Sequence, residues 1–252
     1  MNRFTLANHS TRLMASLALA AILLIGCVST TDAREAPARE EIRAEKSVKP
    51  GINESFLKPD LNVGEFVERF EGESREIFAN RKAITQAIGL QPGDRIVDVG
   101  AGTGPFIGLF AAAVGEQGKV YAIDIAPNFV DHLAQRAKRE GFPQIEARLC
   151  SEKSVDLPKE SVTRAFICDV YHHFEYPRST MGSVHSALRQ GGEVIIVDFE
   201  RIPGVSSEWI LGHVRAGKSE VFAEMQQFGF EFVEEITIAG LKENWVARFR
   251  KR

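Results

Sequence analysis

Apolar positions recur along the chain with two different periods. Between Val63 and Ile88, the residues Phe66, Val67, Phe70, Ile77, Phe78, Ile84 and Ile88 fall at helical spacing, which predicts one or two helices with a buried stripe. The stretch Gly89-Leu90-Gln91-Pro92-Gly93-Asp94 then reads as a turn. Beyond it, short apolar runs predict strands at Arg95–Val99, Val120–Ile123, Ile145–Leu149, Thr163–Val170 and Glu193–Phe199. Helical patterns separate them at Pro105–Val114, Pro127–Gly141 and Ser179–Arg189. Regular alternation of strand and helix implies a mainly parallel sheet covered on both faces. Ligands bind such sheets beyond the carboxyl ends of the strands, where Asp98, Asp124 and Asp169 fall.

The front of the chain follows another logic. Arg3 and Arg12 precede an apolar run from Leu13 to Gly26, too short to span a bilayer comfortably, and Leu24-Ile25-Gly26-Cys27 is similar to the bacterial lipoprotein cleavage box. That pattern predicts a signal over 1–26, lipidation at Cys27, and attachment on the periplasmic side of the cell envelope; without processing, the location would be cytoplasmic. From Thr31 to about Pro50, charges of both signs replace large apolar residues. A charged tether is therefore expected over 27–60, followed by one domain over 61–252 whose first part, 61–90, forms a helical lid. The 252 residues are 44% hydrophobic with a net charge of −3, enough for one sizeable core and without the basic excess that nucleic acid demands. Cys150 and Cys168 sit in apolar contexts and read as inert thiols.

Candidate chemistry concentrates after the first strand. Asp98-Val99-Gly100-Ala101-Gly102-Thr103-Gly104 couples a strand end to a glycine turn and a helix start, and a second acid, Asp124, follows about twenty residues beyond Gly104. Glycine lets the backbone turn sharply and lets a ligand approach without meeting a Cβ. The first amides of a helix offer donors to an anionic group, and a carboxylate at that distance can accept ribose hydroxyls. A dehydrogenase fingerprint counted from Gly100 would need glycine where Pro105 stands, so the spacing disfavours a nicotinamide cofactor.

Together with Asp169-Val170-Tyr171-His172-His173-Phe174 and Leu188-Arg189-Gln190-Gly191-Gly192 before a Val-Ile-Ile-Val-Asp strand, these motifs resemble the ordered series of class I S-adenosylmethionine-dependent methyltransferases. The small-molecule group that includes ubiquinone/menaquinone methyltransferases is the most similar, over about Phe70 to the C-terminus. The resemblance implies a Rossmann-like α/β fold with a seven-stranded, mainly parallel sheet closed by an antiparallel hairpin from Phe230–Ile238 and Trp245–Arg250. It also implies S-adenosylmethionine as cofactor. Gly100, Ala101, Gly102, Thr103 and Gly104 would hold the methionine half, Asp98 its cationic part, Asp124 with Ile125 the ribose, and Ser151 and Glu152 the adenine. Asp169 and the residues after it would line the floor beneath the methyl group.

His172 and Tyr171 are the candidate proton acceptors, and no metal is expected, because no Asp, Glu or Cys at ligand spacing accompanies the histidine pair. Phe70, Glu71, Arg75 and Arg81 on the lid, with Trp209, His213, Arg215 and Lys218 after the fifth strand, are candidates for acceptor selection. The acceptor itself would be a small molecule or a lipid, the contact with the membrane running through the lipid anchor. Two other functions compete: an inactive lipid-anchored scaffold on the same fold, and an NAD(P)-dependent oxidoreductase.

Overall fold

The structure, a computed structural model, describes residues 45–72 and 75–252. The signal, Cys27 and the tether as far as residue 44 lie outside the described residues. Among the described residues, no helix is long and apolar enough to cross a membrane.

Seven strands form one sheet: β1 (Arg95–Val99), β2 (Lys119–Asp124), β3 (Ile145–Leu149), β4 (Val162–Cys168), β5 (Leu188–Phe199), β6 (Phe230–Glu235) and β7 (Asn244–Lys251). Their order is β3-β2-β1-β4-β5-β7-β6. The first five run parallel, and β7 pairs antiparallel with both β5 and β6, as the resemblance implied. The order in which strands are added reverses between the parallel neighbours β1 and β4, and the strand ends there open a crevice.

Alternate residues of each strand feed separate cores. Ile96, Val120, Phe166 and Ile195 face α2 (Glu76–Ile88), α3 (Ile107–Val114) and α4 (Pro127–Glu140) through Ile84, Phe110 and Leu133. Their neighbours Val97, Tyr121, Ile167 and Ile196 face α5 (Pro177–Ala187) and α7 (Lys218–Gln227) through Val184 and Met225. That division follows from the two-residue period of a strand covered on both sides. The remaining helices, α1 (Val63–Phe70) and α6 (Glu208–His213), stand at the strand ends.

Among the element boundaries that depart from expectation, two have a visible backbone cause. Strand β5 begins at Leu188 rather than Glu193, because Leu188 pairs with Val162 before the register shifts by way of Gly191, which has φ +71°. Strand β4 stops at Cys168, because Asp169 turns into the left-handed region at φ +53°.

The expected tether is corrected over its last part. Residues 45–60 are docked on the domain: Glu45 accepts the free amides of Arg178 and Ser179 at the start of α5, Ser47 donates to Glu175, and the Val48 amide donates to the Glu175 carbonyl. Asn53 is buried, and Phe56 packs on Phe66 and Phe129. Charge-rich composition concealed this stretch, because its contacts are mostly hydrogen bonds made one residue at a time.

Candidate functional site

Four strand ends deliver four acids to one place. Asp98 and Asp198 are the penultimate residues of β1 and β5, Asp124 ends β2 and Asp169 follows β4; a cavity of about 250 Å³ is lined by Asp98, Asp124 and Asp169, with Asp198 behind His172. Each replaces an apolar residue where a strand leaves the core, so burial acts on its charge. Burial, reinforced by Asp124, pushes the Asp98 carboxyl up to about 8. Burial lifts Asp124 to about 6 against three backbone amides that favour its charge. Asp169 also rises to about 6, through burial and then Asp198, opposed by Arg75.

The glycine turn is built largely from its own amides. Gly100, Gly102 and Gly104 all have positive φ, and the Ala101, Gly102 and Gly104 amides donate to the Ile123 carbonyl, Asp124 Oδ2 and the Ala101 carbonyl. The Gly102 and Gly104 amides, expected to help receive an anionic group, are therefore already committed, one to β2 and one within the turn. Asp124 is the tie between turn and strand, since Oδ1 also accepts the Ala126 amide ahead of α4.

A Cβ on Gly100 would lie 2.6 Å from Val170 Cγ1. Gly100→Ala is expected to destabilise the fold by about 2–4 kcal/mol, measured by denaturant unfolding, since overpacking adds to a strained φ. Gly104 is not on the cavity wall; its missing Cβ lets Leu133 and Ile107 close in.

Gly100, Ala101, Gly102, Thr103, Ile125, Ser151, Glu152 and His172 all line the cavity. Tyr171 does not, and its proposed proton-accepting role is corrected. Its ring is fully buried, its hydroxyl donates to Glu224 Oε2 at 2.7 Å, and Arg215 clamps both Glu224 oxygens while covering the ring. Burial and Glu224 hold the phenol well above its ordinary range. Arg215 is thereby removed from acceptor selection, and so is Lys218, which bridges Glu200 and Glu235.

The lid residues divide in the same way. Arg75 pairs with Asp169 at 2.8 Å, and Glu71 holds Arg136, whose Nη1 also donates to the Thr103 carbonyl. The helices over the cavity are thus latched to its floor and to the glycine turn. Arg81 instead covers the ring of Phe78. Cys150 and Cys168 line the wall as thiols, burial pushing Cys150 up to about 12 and Cys168 well above its ordinary value.

Several wall residues escaped sequence reasoning. Asn53 and Phe56 come from the docked N-terminal segment, and Asn53 Nδ2 donates to the His173 carbonyl. Asp198 ends an apolar run in the same way as Asp98 and Asp124, a signal that could have flagged it. Its Oδ1 lies 2.7 Å from His172 Nδ1, and its Oδ2 accepts the His172 amide. His173 and His213 close that end of the cavity, where burial lowers them to about 2 and about 4 and keeps both rings neutral.

The cavity suits S-adenosylmethionine on a feature of its own polar atoms. Asp98 Oδ2 and Thr103 Oγ1 are buried without a hydrogen-bond partner, and unsatisfied polar atoms are uncommon unless a ligand completes them. Beside them stand Asp124 and the apolar walls of Val99, Phe106 and Phe129.

Comparisons with known proteins agree. A ubiquinone/menaquinone biosynthesis C-methyltransferase of Cupriavidus taiwanensis is 23% identical over 119 residues, covering 47% of this chain and 48% of the relative. A demethylmenaquinone methyltransferase of Bacillus cereus is 28% identical over 120 residues, covering 47% and 50%. The chain thus matches about half the length of these curated relatives. Among solved structures, a SAM-dependent methyltransferase from Aquifex aeolicus superposes with a TM-score of 0.67 at 19% identity, covering 75% of this chain and 98% of that one. The [4+2]-cyclase SpnF shares the fold at a TM-score of 0.58 and 14% identity, covering 68% and 80%, so the fold by itself does not determine the reaction. The profile of the methyltransferase domain matches residues 90–245, most of the chain, and the protein belongs to that family, with S-adenosylmethionine as its cofactor.

Proposed function

We propose that the protein transfers a methyl group from S-adenosylmethionine to a small-molecule or lipid acceptor. The unpartnered, buried Asp98 oxygen inside a cavity of acids carries this reading, because a cationic ligand is what completes such a group. When bound, the cofactor supplies an activated methyl carbon, and the protein's contribution is to hold and orient the reactants and to exclude water.

Asp98 ionises toward the positive end of the ligand. Asp124, already fixed by the Gly102 and Ala126 amides, presents its remaining lone pairs to the ribose. Phe106 and Phe129 keep the cavity dry, while the Arg75–Asp169 and Glu71–Arg136 pairs fasten the helices above it. His172, with Nδ1 directed to Asp198, keeps Nε2 available as a proton acceptor toward the acceptor end.

The lipoprotein-type box at Leu24-Ile25-Gly26-Cys27 supports attachment at the cell envelope through Cys27. Incubating the full chain with methyl-labelled cofactor and, separately, cytosolic and envelope extracts tests activity and compartment together. Label is expected in low-molecular-mass or lipid material of the envelope fraction. Label confined to the cytosolic fraction would remove the envelope assignment, and label in neither would remove the transferase reading.

A further inference from the structure

At the end of the cavity away from the glycine turn, three histidines from two elements converge. His172 and His173 belong to the 3-10 turn Tyr171–His173 after β4, and His213 ends α6. One ring nitrogen from each lies within 4.8 Å of the other two. The Nε2 atoms of His173 and His213 are 3.3 Å apart. Two nitrogens bound tetrahedrally to zinc at about 2.0–2.1 Å would be separated by about 3.3–3.4 Å, so this spacing already has the dimension of a coordination edge. We propose that His172, His173 and His213 bind one divalent first-row transition ion of the zinc class.

Three further observations point the same way. His172 gives its Nδ1 to Asp198 at 2.7 Å, which fixes the ring and leaves Nε2 with its lone pair free, the carboxylate–histidine arrangement that orients and strengthens metal-ligating imidazoles. Asp198 is itself held by the amides of His172 and Phe199, so the orienting carboxylate does not swing away. The His213 ring stacks on Trp209 with centroids 4.7 Å apart and 17° between planes, and Phe56 meets His173 edge-on at 5.3 Å. Both rings are thus positioned by apolar packing.

A plain hydrogen-bonded pair explains less. An Nε2–H···Nε2 bond between His173 and His213 accounts for two of the converging rings and leaves out His172, whose ring nitrogen lies within the same 4.8 Å. Two cations face His173 and His213, Lys49 and Arg69; Lys49 donates to the carbonyls of Gly212 and His213, and Asp198 bonds the His172 ring.

Imidazole sets suit zinc, copper, iron and nickel, whereas magnesium and calcium ask for oxygen. Three protein ligands leave a further coordination position in the cavity, and catalytic zinc sites use that position for water or substrate. On the methyltransferase reading, the occupant would be the acceptor's oxygen or sulfur; with His172 Nε2 on the ion, the ion takes over from that ring in assisting deprotonation, and the proton leaves to solvent. That link also names the acceptor class: a hydroxyl- or thiol-bearing molecule.

The test uses the full chain, stripped with a chelator and titrated with Co²⁺ as a visible-absorption probe, then with Zn²⁺ in competition. One Co²⁺ per chain with ligand-field bands, displaced by one Zn²⁺, is the expected result. His213→Ala and His173→Ala should each weaken binding by about 100-fold or more. A far-ultraviolet circular dichroism spectrum and a cooperative melting transition like those of the natural chain show that each variant is folded. Absence of stoichiometric Co²⁺ binding in the natural chain, or equal binding by the folded His213→Ala chain, overturns the site. Stoichiometric metal without cofactor binding would leave the site standing and remove the transferase reading instead.

Discussion

Asp124→Ala should lower the affinity for S-adenosylmethionine by about 100-fold or more, read by calorimetry on folded protein. Two hydroxyl hydrogen bonds to one carboxylate are lost, and bonds to charged groups are each worth about 1.5–3 kcal/mol. The alanine also frees the Gly102 and Ala126 amides, so the glycine turn loosens as the ligand contact disappears. Asp124→Asn separates the two effects: its oxygen can still hold one amide, and the cofactor should bind at least tenfold more weakly while the melting temperature falls less than in the alanine variant. An Asp124→Asn chain that binds like the natural one would show that the acid serves only the turn.

Asp98 gives the second large effect, and its sign depends on pH. Its carboxyl lies at about 8 in the fold against an unfolded value near 4, so its stabilising contribution is complete at low pH and is lost as pH rises through 8. All three losses begin near the unfolded value of about 4; Asp124 and Asp169, both at about 6, complete theirs by about pH 6, and Asp98 carries the loss on to about 8. At pH 8 the ligand-free Asp98→Asn chain should therefore melt higher than the natural one, by an amount worth a few kcal/mol. Cofactor binding should move the other way. A cationic ligand draws the proton off Asp98, so binding near pH 7 should release up to about one proton and strengthen as pH rises toward 8. Calorimetry in buffers of different ionisation enthalpy counts that proton. No release, or equal release in Asp98→Asn, would place the charge compensation elsewhere.

Much of this was visible in the residues because it rests on local order. A strand that must leave the core after five or six residues and then turn leaves a clear trace, and β1, β2 and β3 lie where periodicity puts them. Asp98, Asp124 and Asp169 are legible for the same reason: each is the first charge after an apolar run.

What escaped depends on contacts distant in sequence. Tyr171 sits beside His172, yet one 3-10 turn sends its hydroxyl to Glu224, fifty-three residues away, while His172 faces Asp198 and the cavity. The three-histidine cluster needs α6 brought across from a separate segment, forty residues beyond His173. Residues 45–60 look like solvated chain because most of their anchors are single hydrogen bonds to partners more than a hundred residues distant.

That docked segment joins the cavity wall to the N-terminal side of the chain without a break. Force entering at Glu45 is carried first by the α5 amides and by Glu175, and next by Asn53, which holds the carbonyl of His173. An anchor upstream would act as a leash tied to the doorframe of the site, so tension on the chain would reach the histidine end of the cavity before it reached the sheet.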